Sequence, residues 1–489
     1  MSSEALIVLA IVVPLLGAVG IILAGRKRPN LREAVTLATA VGLVAIVWSL
    51  IPGIIAGDRP YIRLAEFMPG LAIEFNVEPL GMMFAALASL LWVVNSIYSI
   101  GYMRGNNERN QTRFYVLFAV ALSATMGVAF AGNLVTLFIF YEILTLSTYP
   151  LVAHKGDEKT VASARIYLGI LLATSIGLFL PAIIWTYYLA GTLEFEPGGI
   201  LQGRIDGIAV GLLLALFAFG IGKAAIMPVH RWLPAAMVAP TPVSALLHAV
   251  AVVKAGVFTI TKVVVYIFGI DFLFGKPASA WLLYVAAFTI IAASMIALRQ
   301  TNLKRLLAYS TISQLSYVVL AVAILKPIAE IGAAIHIVTH AFGKITLFFA
   351  AGAIYTASKK TEIVQLRGIG RRMPWTMGAF TIGALSMIGV PPTGGFVSKW
   401  YILAGAFQAD NYVAIATVIL STLLNAAYFL PIIYLVWFQG EQTPVVKDHG
   451  EAPLAVIVAL MITAGLSLGF FFFHQTVVEL ATQFVQVSS

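Results

Sequence analysis

Charged side chains lie deep inside the apolar segments of this chain of 489 residues. They are five lysines and one glutamate: Lys223, Lys254, Lys262, Lys344, Lys399 and Glu142. A charge at the centre of a bilayer is costly even on lenient insertion scales, and such residues usually mark the path of an ion or a proton. The set therefore predicts a protein that moves charge across a membrane.

Histidines accompany these lysines at helical spacing. His336, His340 and Lys344 follow one another at i, i+4 and i+8, so on a helix they share one face. His248 lies in an earlier apolar segment, near one of its ends. Histidine exchanges protons near neutral pH, and a desolvated lysine can do so as well. This arrangement is typical of a proton relay.

Some of these residues also have a purely structural interpretation. Lys262 lies far along its helix and could extend its ammonium outward to water, and His336 could donate a hydrogen bond between packed helices. The two histidines one turn apart lack a further histidine or carboxylate at a matching depth. We therefore expect neither a bound metal nor another cofactor.

The composition places the chain in a bilayer. It is 60% hydrophobic and 10% charged, and its mean hydropathy is +0.95, far from a soluble domain. The absence of cysteine excludes disulfides, Cys-ligated iron–sulfur clusters and thiol nucleophiles. The first apolar segment, 5–24, is not a secretory signal, because its basic cluster follows the apolar run.

The hydropathy pattern predicts an all-α polytopic membrane protein with about fourteen transmembrane helices in a single membrane domain over 1–489. The predicted spans are 5–24, 33–56, 79–101, 112–130, 133–153, 161–190, 207–239, 242–270, 279–299, 302–324, 328–357, 374–407, 411–438 and 453–475. Most of the cations fall in alternate loops, within 26–32, 104–113, 155–165, 299–305 and 359–372, with Arg231 and Lys447. The positive-inside rule makes these loops cytoplasmic and puts both termini outside. The net charge of +9 therefore reflects topology, and we expect no nucleic-acid partner.

Two spans are too long for a single crossing. Spans 7 and 12 run over 207–239 and 374–407 and contain prolines, among them Pro228 and the pair Pro391-Pro392. Proline removes an amide donor and clashes with the preceding turn, so we expect both helices to break inside the membrane. Matched broken helices indicate inverted repeats around a transport site. We expect two inverted five-helix repeats, at about 112–270 and 279–438.

Several stretches together resemble a known family, the antiporter-like subunits shared by Mrp-type multisubunit sodium/proton antiporters and the membrane arm of respiratory complex I. The stretches are Phe140-Tyr141-Glu142, Gly222-Lys223, 239–248, Lys254-Ala255-Gly256, 307–313, 336–344 and 391–399. The resemblance runs approximately from span 3 to span 13.

The resemblance implies roles for the matching positions. Glu142 and Lys223 would form the paired glutamate and lysine of a first half-channel, with His248 and Lys254 as connecting groups. His336, His340 and Lys344 would form a central relay, and Lys399 would be the terminal position, where family members carry lysine or glutamate. Lysine there, and a chain that stops soon after span 14, favour the Mrp branch of the family.

The sequence thus predicts a subunit of the cell membrane that moves protons in exchange for Na⁺, beside other subunits of its complex. Two alternatives remain open at this point. One is a proton-pumping subunit of complex I or of a membrane-bound hydrogenase, whose redox centres would lie in other chains. The other is a membrane scaffold whose buried polar groups only join helices.

Overall fold

The computed structural model describes residues 2–68, 71–440 and 450–488 of the chain. Lys447, assigned above to a cytoplasmic loop, lies outside these residues. Within them the protein is a bundle of membrane-spanning helices, as the hydropathy pattern predicts.

Twelve described helices are long and apolar enough to cross a membrane, and the two broken spans complete the predicted fourteen. The unbroken spans are Ser3–Ala24, Pro29–Ile55, Pro79–Gly105, Gln111–Ala129, Leu134–Val152, Glu158–Ala190, Thr241–Phe268, Pro277–Leu298, Leu303–Ala323, Pro327–Ser358, Tyr412–Phe438 and Leu454–Phe472. We number the spans 1 to 14 in chain order, with the broken ones as 7 and 12.

Spans 7 and 12 are both broken, as predicted, but only in span 12 does the break lie at the prolines. In span 7 the helix Ile208–Gly220 ends eight residues before Pro228, and the chain continues through short turns to Val238. Span 12 consists of two helices, Pro374–Ile388 and Gly394–Gln408. The first of them ends at Gly389, whose φ of 89° is open to glycine at little cost. Each break leaves backbone carbonyls without intrahelical partners inside the bundle.

Spans 8 and 11 form the centre of the molecule. Every residue in the most apolar window of each is buried within the chain, as expected for helices that are hydrophobic on all sides. Span 8 is also interrupted, at Ala251, between a π-helical turn over Leu246–Val250 and the helix Val252–Lys262. The two innermost helices therefore carry His248, Lys254, His336, His340 and Lys344.

Two elements were not predicted from the sequence. An antiparallel hairpin pairs Tyr61–Met68 with Leu71–Asn76 between spans 2 and 3. A further helix, Gln475–Ser488, follows span 14 and packs against span 11. Its buried residues Leu480, Ala481, Phe484 and Val485 follow a helical pattern that the sequence does contain.

Loop charges are grouped as the topology argument sorts them. Lys155, Lys304 and Lys360 line one cavity at one end of the bundle. Arg63 contacts Glu194, and Lys276 pairs with Asp206, in the loops assigned to the opposite face.

Candidate functional site: a file of buried basic groups

The central contact of the site joins the two innermost helices. Lys254 Nζ on span 8 lies 2.6 Å from His340 Nδ1 on span 11. Lys254 is 0% and His340 1% exposed. A short contact between two titratable groups without water access is the geometry that direct proton transfer requires. It links the two predicted repeats.

His336 extends the file toward span 12. Its ring stacks on that of His340 with the centroids 5.9 Å apart, as the i, i+4 spacing predicts. His336 Nδ1 lies 2.9 Å from Ser398 Oγ, and the Tyr317 ring stacks on the His336 ring with the centroids 5.4 Å apart. Ser398 immediately precedes Lys399 in the chain, but its hydroxyl and the Lys399 ammonium have different partners.

Lys399 is held by the break in its own span. Its ammonium donates to the carbonyl oxygens of Met387 and Ile388, both at 2.9 Å. These carbonyls end the helix Pro374–Ile388, where unpaired C=O groups carry partial negative charge and favour a cation. The ammonium also lies 5.2 Å from the centroid of the Tyr317 ring. The break predicted from Pro391-Pro392 thus supplies the lysine's acceptors.

Lys344 forms a side branch of the file. Its Nζ donates to Ser310 Oγ at 2.9 Å, and Tyr428 donates to the same hydroxyl at 3.1 Å. Lys344 shares a helix face with the two histidines, but its contacts lead to spans 10 and 13 instead of along span 11.

Lys223 lies on the other broken span and is bound by span 5. Its ammonium donates to the Tyr141 carbonyl at 2.8 Å and to Thr145 Oγ1 at 2.5 Å. Its backbone amide donates to the Tyr141 hydroxyl at 3.1 Å. Gly256 on span 8 lets this segment approach closely, because a Cβ there would collide with the backbone of Lys223. Lys223 therefore lies against span 8 two residues beyond Lys254.

The charges of Glu142 and Lys223 interact, so the pair that the family resemblance implies stays a prediction. They form no direct ion pair, because the Lys223 ammonium donates to Tyr141 and Thr145 and both carboxylate oxygens of Glu142 are buried without a hydrogen-bond partner among the described residues. Glu142 is only partly buried, on a face of span 5 that exposes Ile143 and Leu146. The physical reason is rotation: Tyr141 and Thr145 turn inward to Lys223, so Glu142 points to the side.

The structure differs from two further expectations, those for Lys262 and His248. Lys262 does not reach water; it is 1% exposed, pairs with Glu78 at 3.3 Å and donates to the Ala131 carbonyl at 2.9 Å. His248 is buried against the Phe348 ring, and neither ring nitrogen has a hydrogen-bond partner among the described residues. The structure therefore places His248 beside span 11 without connecting it to Lys254.

The sequence reasoning missed several buried acids, among them Glu78, the partner of Lys262, and Glu330. Glu330 lies in the first turn of span 11, is 0% exposed, and neither of its carboxylate oxygens has a hydrogen-bond partner among the described residues. Its position inside the predicted span 328–357 was the signal, but its closeness to the span's end made it resemble an interfacial residue.

Outside the spans, His154 does not join the relay. Burial, with the nearby Arg113 guanidinium, lowers the pKa of His154 to about 4, so the ring stays neutral near pH 7. Among the described residues, no three His, Cys, Asp or Glu side chains are grouped so that they could hold a metal ion.

The sequence of this chain is similar to those of known membrane proteins. Residues 131–425 match the family described as NADH:quinone oxidoreductase/Mrp antiporter, transmembrane. The chain is 32% identical over 454 residues to NADH-quinone oxidoreductase subunit N of Desulforudis audaxviator, covering 91% of this chain and 89% of that protein.

Two solved structures share the fold. One is a chain of the Mrp complex from Dietzia sp. DQ12-45-1b, with a TM-score of 0.88, 23% identity, and coverage of 99% of this chain and 97% of that one. The other belongs to an archaeal membrane-bound sulfane sulfur reductase, with a TM-score of 0.87, 24% identity, and coverage of 100% and 98%. The chain is a multi-pass membrane protein and belongs to the family of antiporter-like subunits shared by NADH:quinone oxidoreductases and Mrp antiporters.

Proposed function

We propose that this chain translocates protons along its buried basic groups, as the D subunit of an Mrp-type complex that exchanges Na⁺ for protons across the cell membrane. The observation that carries the proposal is the contact of Lys254 with His340. It joins groups from the two central helices, and both partners are shielded from water. A scaffold would not need two titratable groups in direct contact, since a buried charge costs several kcal/mol.

The proton path begins at the contact of Lys254 Nζ with His340 Nδ1, where a proton moves directly between the two nitrogens. His336 and Lys399 continue the path, but the stacked rings of His340 and His336 share no hydrogen bond, and Ser398 Oγ contacts His336 and not the Lys399 ammonium. Water would have to bridge these two gaps, and each group that gives up a proton is restored by the next one. Lys223 joins at the Lys254 end through the close approach of Gly256. Lys344, which donates to Ser310, lies beside the path, and its charge changes the electrostatic potential at the other basic groups.

The two predicted repeats, 112–270 and 279–438, give this path its direction. Each contains one broken span with one lysine held near the break, Lys223 or Lys399. Inverted repeats would open the two lysines to opposite faces in turn. The separation of loop charges into two groups supports cytoplasmic loops on one side and both termini on the other.

Glu142 belongs, in this proposal, to the contact with a neighbouring subunit. Its carboxylate oxygens have no hydrogen-bond partner among the described residues, although its charge interacts with that of Lys223, and the adjacent Ile143 and Leu146 are 38% and 55% exposed. A buried acid is costly without a counter-ion. A cation from the next subunit would supply it, and would couple the charge states of the two chains.

The test is proton movement in everted vesicles that contain the whole complex, driven by a Na⁺ pulse. Lys254→Met should lower the rate about 100-fold, because it removes a proton-transfer group. Lys276→Met is the matched control, since its ammonium pairs with Asp206 in a loop. Assembly of both variants is checked by co-purification of the other subunits. A normal rate in Lys254→Met would refute the path.

A second candidate function has its own support. The relative at 32% identity is named as a subunit of an NADH-quinone oxidoreductase, so the same file could be driven by electron transfer in other subunits. Purified complex in proteoliposomes separates the two: a Na⁺ gradient alone drives protons in an antiporter, whereas a redox pump requires an electron donor. The subunits that co-purify give an independent answer.

A further inference from the structure

A cavity of about 180 Å³ lies at the end of span 11 away from the cytoplasmic loops. Its walls come from the segment after span 8, the start of span 11, and the C-terminal helix Gln475–Ser488, which contributes Val485. The volume exceeds the ~30 Å³ share of a single water. Glu330 and Asp271 both line it.

Glu330 is unusual among the residues that line this cavity, because it is an acid without a bonded partner. Both of its carboxylate oxygens are buried and lack hydrogen-bond partners in the part of the chain that the structure describes, although an unpaired buried charge costs several kcal/mol. Such a carboxyl group must carry either a proton or a neighbouring cation. Asp271, which is exposed at the mouth, adds a second carboxylate.

The charged and titratable groups around Glu330 do not neutralise it. Lys326, one turn earlier, has its ammonium 4.6 Å from the centroid of the Phe274 ring and forms no described ion pair with Glu330. Tyr266 on span 8 donates its hydroxyl to Glu78 at 2.8 Å. Glu78 in turn is paired with Lys262. Glu78 therefore has a counter-ion in Lys262, whereas Glu330 has none among the described side chains.

We propose that Glu330 and Asp271 form an outward-facing site at which a monovalent cation and a proton compete. Carboxylate oxygens suit hard cations. Two carboxylates, with no third acidic or histidine ligand among the described residues, fit a singly charged ion better than a divalent one. The inference rests on the proposed function and supplies the cation side of the exchange.

Carbodiimide labelling tests the site in the intact complex, because dicyclohexylcarbodiimide reacts with protonated carboxyl groups inside membranes. Membranes are treated in choline chloride or in NaCl at equal ionic strength, and the modified residue is identified by mass spectrometry. Label on Glu330 should appear in choline chloride and be mostly lost in NaCl. Glu78, whose carboxylate is paired with Lys262, serves as the internal control and should stay unlabelled in both salts.

Two variants should shift the NaCl concentration needed for protection in opposite directions. Asp271→Asn should raise the NaCl concentration needed for protection about tenfold, because it removes one carboxylate near the cation. Lys326→Met should lower that concentration, because it removes a like charge. Equal labelling of Glu330 in the two salts, no labelling in either, or unchanged protection in Asp271→Asn would overturn the proposal.

Failure of this site is distinguishable from failure of the proton path. Lys254→Met should abolish proton movement yet leave Na⁺ protection at Glu330 intact, because the two groups lie on separate contacts. If Lys254→Met still moves protons, the proposed function fails whatever the labelling shows.

Discussion

Two groups of buried lysines in this molecule are held differently. Lys262, on span 8, has a carboxylate partner in Glu78. Lys223, Lys344 and Lys399 donate instead to neutral hydroxyl and carbonyl oxygens of the described residues.

The difference separates fixed charges from exchangeable ones. Breaking a buried ion pair leaves an uncompensated charge and costs several kcal/mol. A lysine bound to hydroxyl and carbonyl oxygens loses its proton without leaving a charge behind. Lys223, Lys344 and Lys399 are therefore suited to change charge state, whereas the Glu78–Lys262 pair keeps a fixed charge pair between the start of span 3 and span 8.

The largest expected effect concerns the buried acids Glu78 and Glu330. Lys262→Met leaves Glu78 buried without its cation and should lower the free energy of unfolding by about 3–5 kcal/mol. Glu330→Gln removes no described partner and should change it by less than about 1 kcal/mol. Reversible unfolding in SDS and mild detergent, followed by circular dichroism, measures both.

Lys276→Met is the control for the loss of a lysine, and its stability should match the wild type. Similar losses in Lys262→Met and Glu330→Gln would remove the distinction between a paired and an unpaired acid.

A smaller effect is expected at the end of the file. Lys399→Glu replaces a donor to two carbonyls with a group that can only accept when ionised, so its carboxylate would face the Met387 and Ile388 oxygens. Proton movement in vesicles should fall at least about tenfold, equivalent to roughly 1.4 kcal/mol. Family members carry either lysine or glutamate here, so wild-type rates would show that the local carbonyls are not what selects lysine.

Much of the fold follows from the sequence, because bilayer crossing imposes length and apolarity and proline breaks helices where it stands. The spans, the presence of a break in span 7, the break at Pro391-Pro392 and the shared face of His336 and His340 were predictable on these grounds. The hairpin over 61–76 was not, because short loop segments obey no such length rule.

The partners of the buried lysines could not be predicted. Which face of span 5 meets Lys223 depends on helix rotation, and rotation is set by packing among many helices at once. For that reason Tyr141 and Thr145 hold Lys223 in place of Glu142. Residue spacing predicts which side chains are neighbours on the same helix. It could not predict the contact of Lys254 with His340, because these residues lie on two different helices.

A double-mutant cycle on Lys254 and His340 tests the central claim, that this contact joins the two halves into one proton path. Lys254→Gln and His340→Gln are made singly and together, and Na⁺-driven proton flux is measured in proteoliposomes of the whole complex. If the two groups act in series, each variant loses about 100-fold and the double variant loses no more. A double loss equal to the product of the single losses, or wild-type flux in either single variant, would contradict the account.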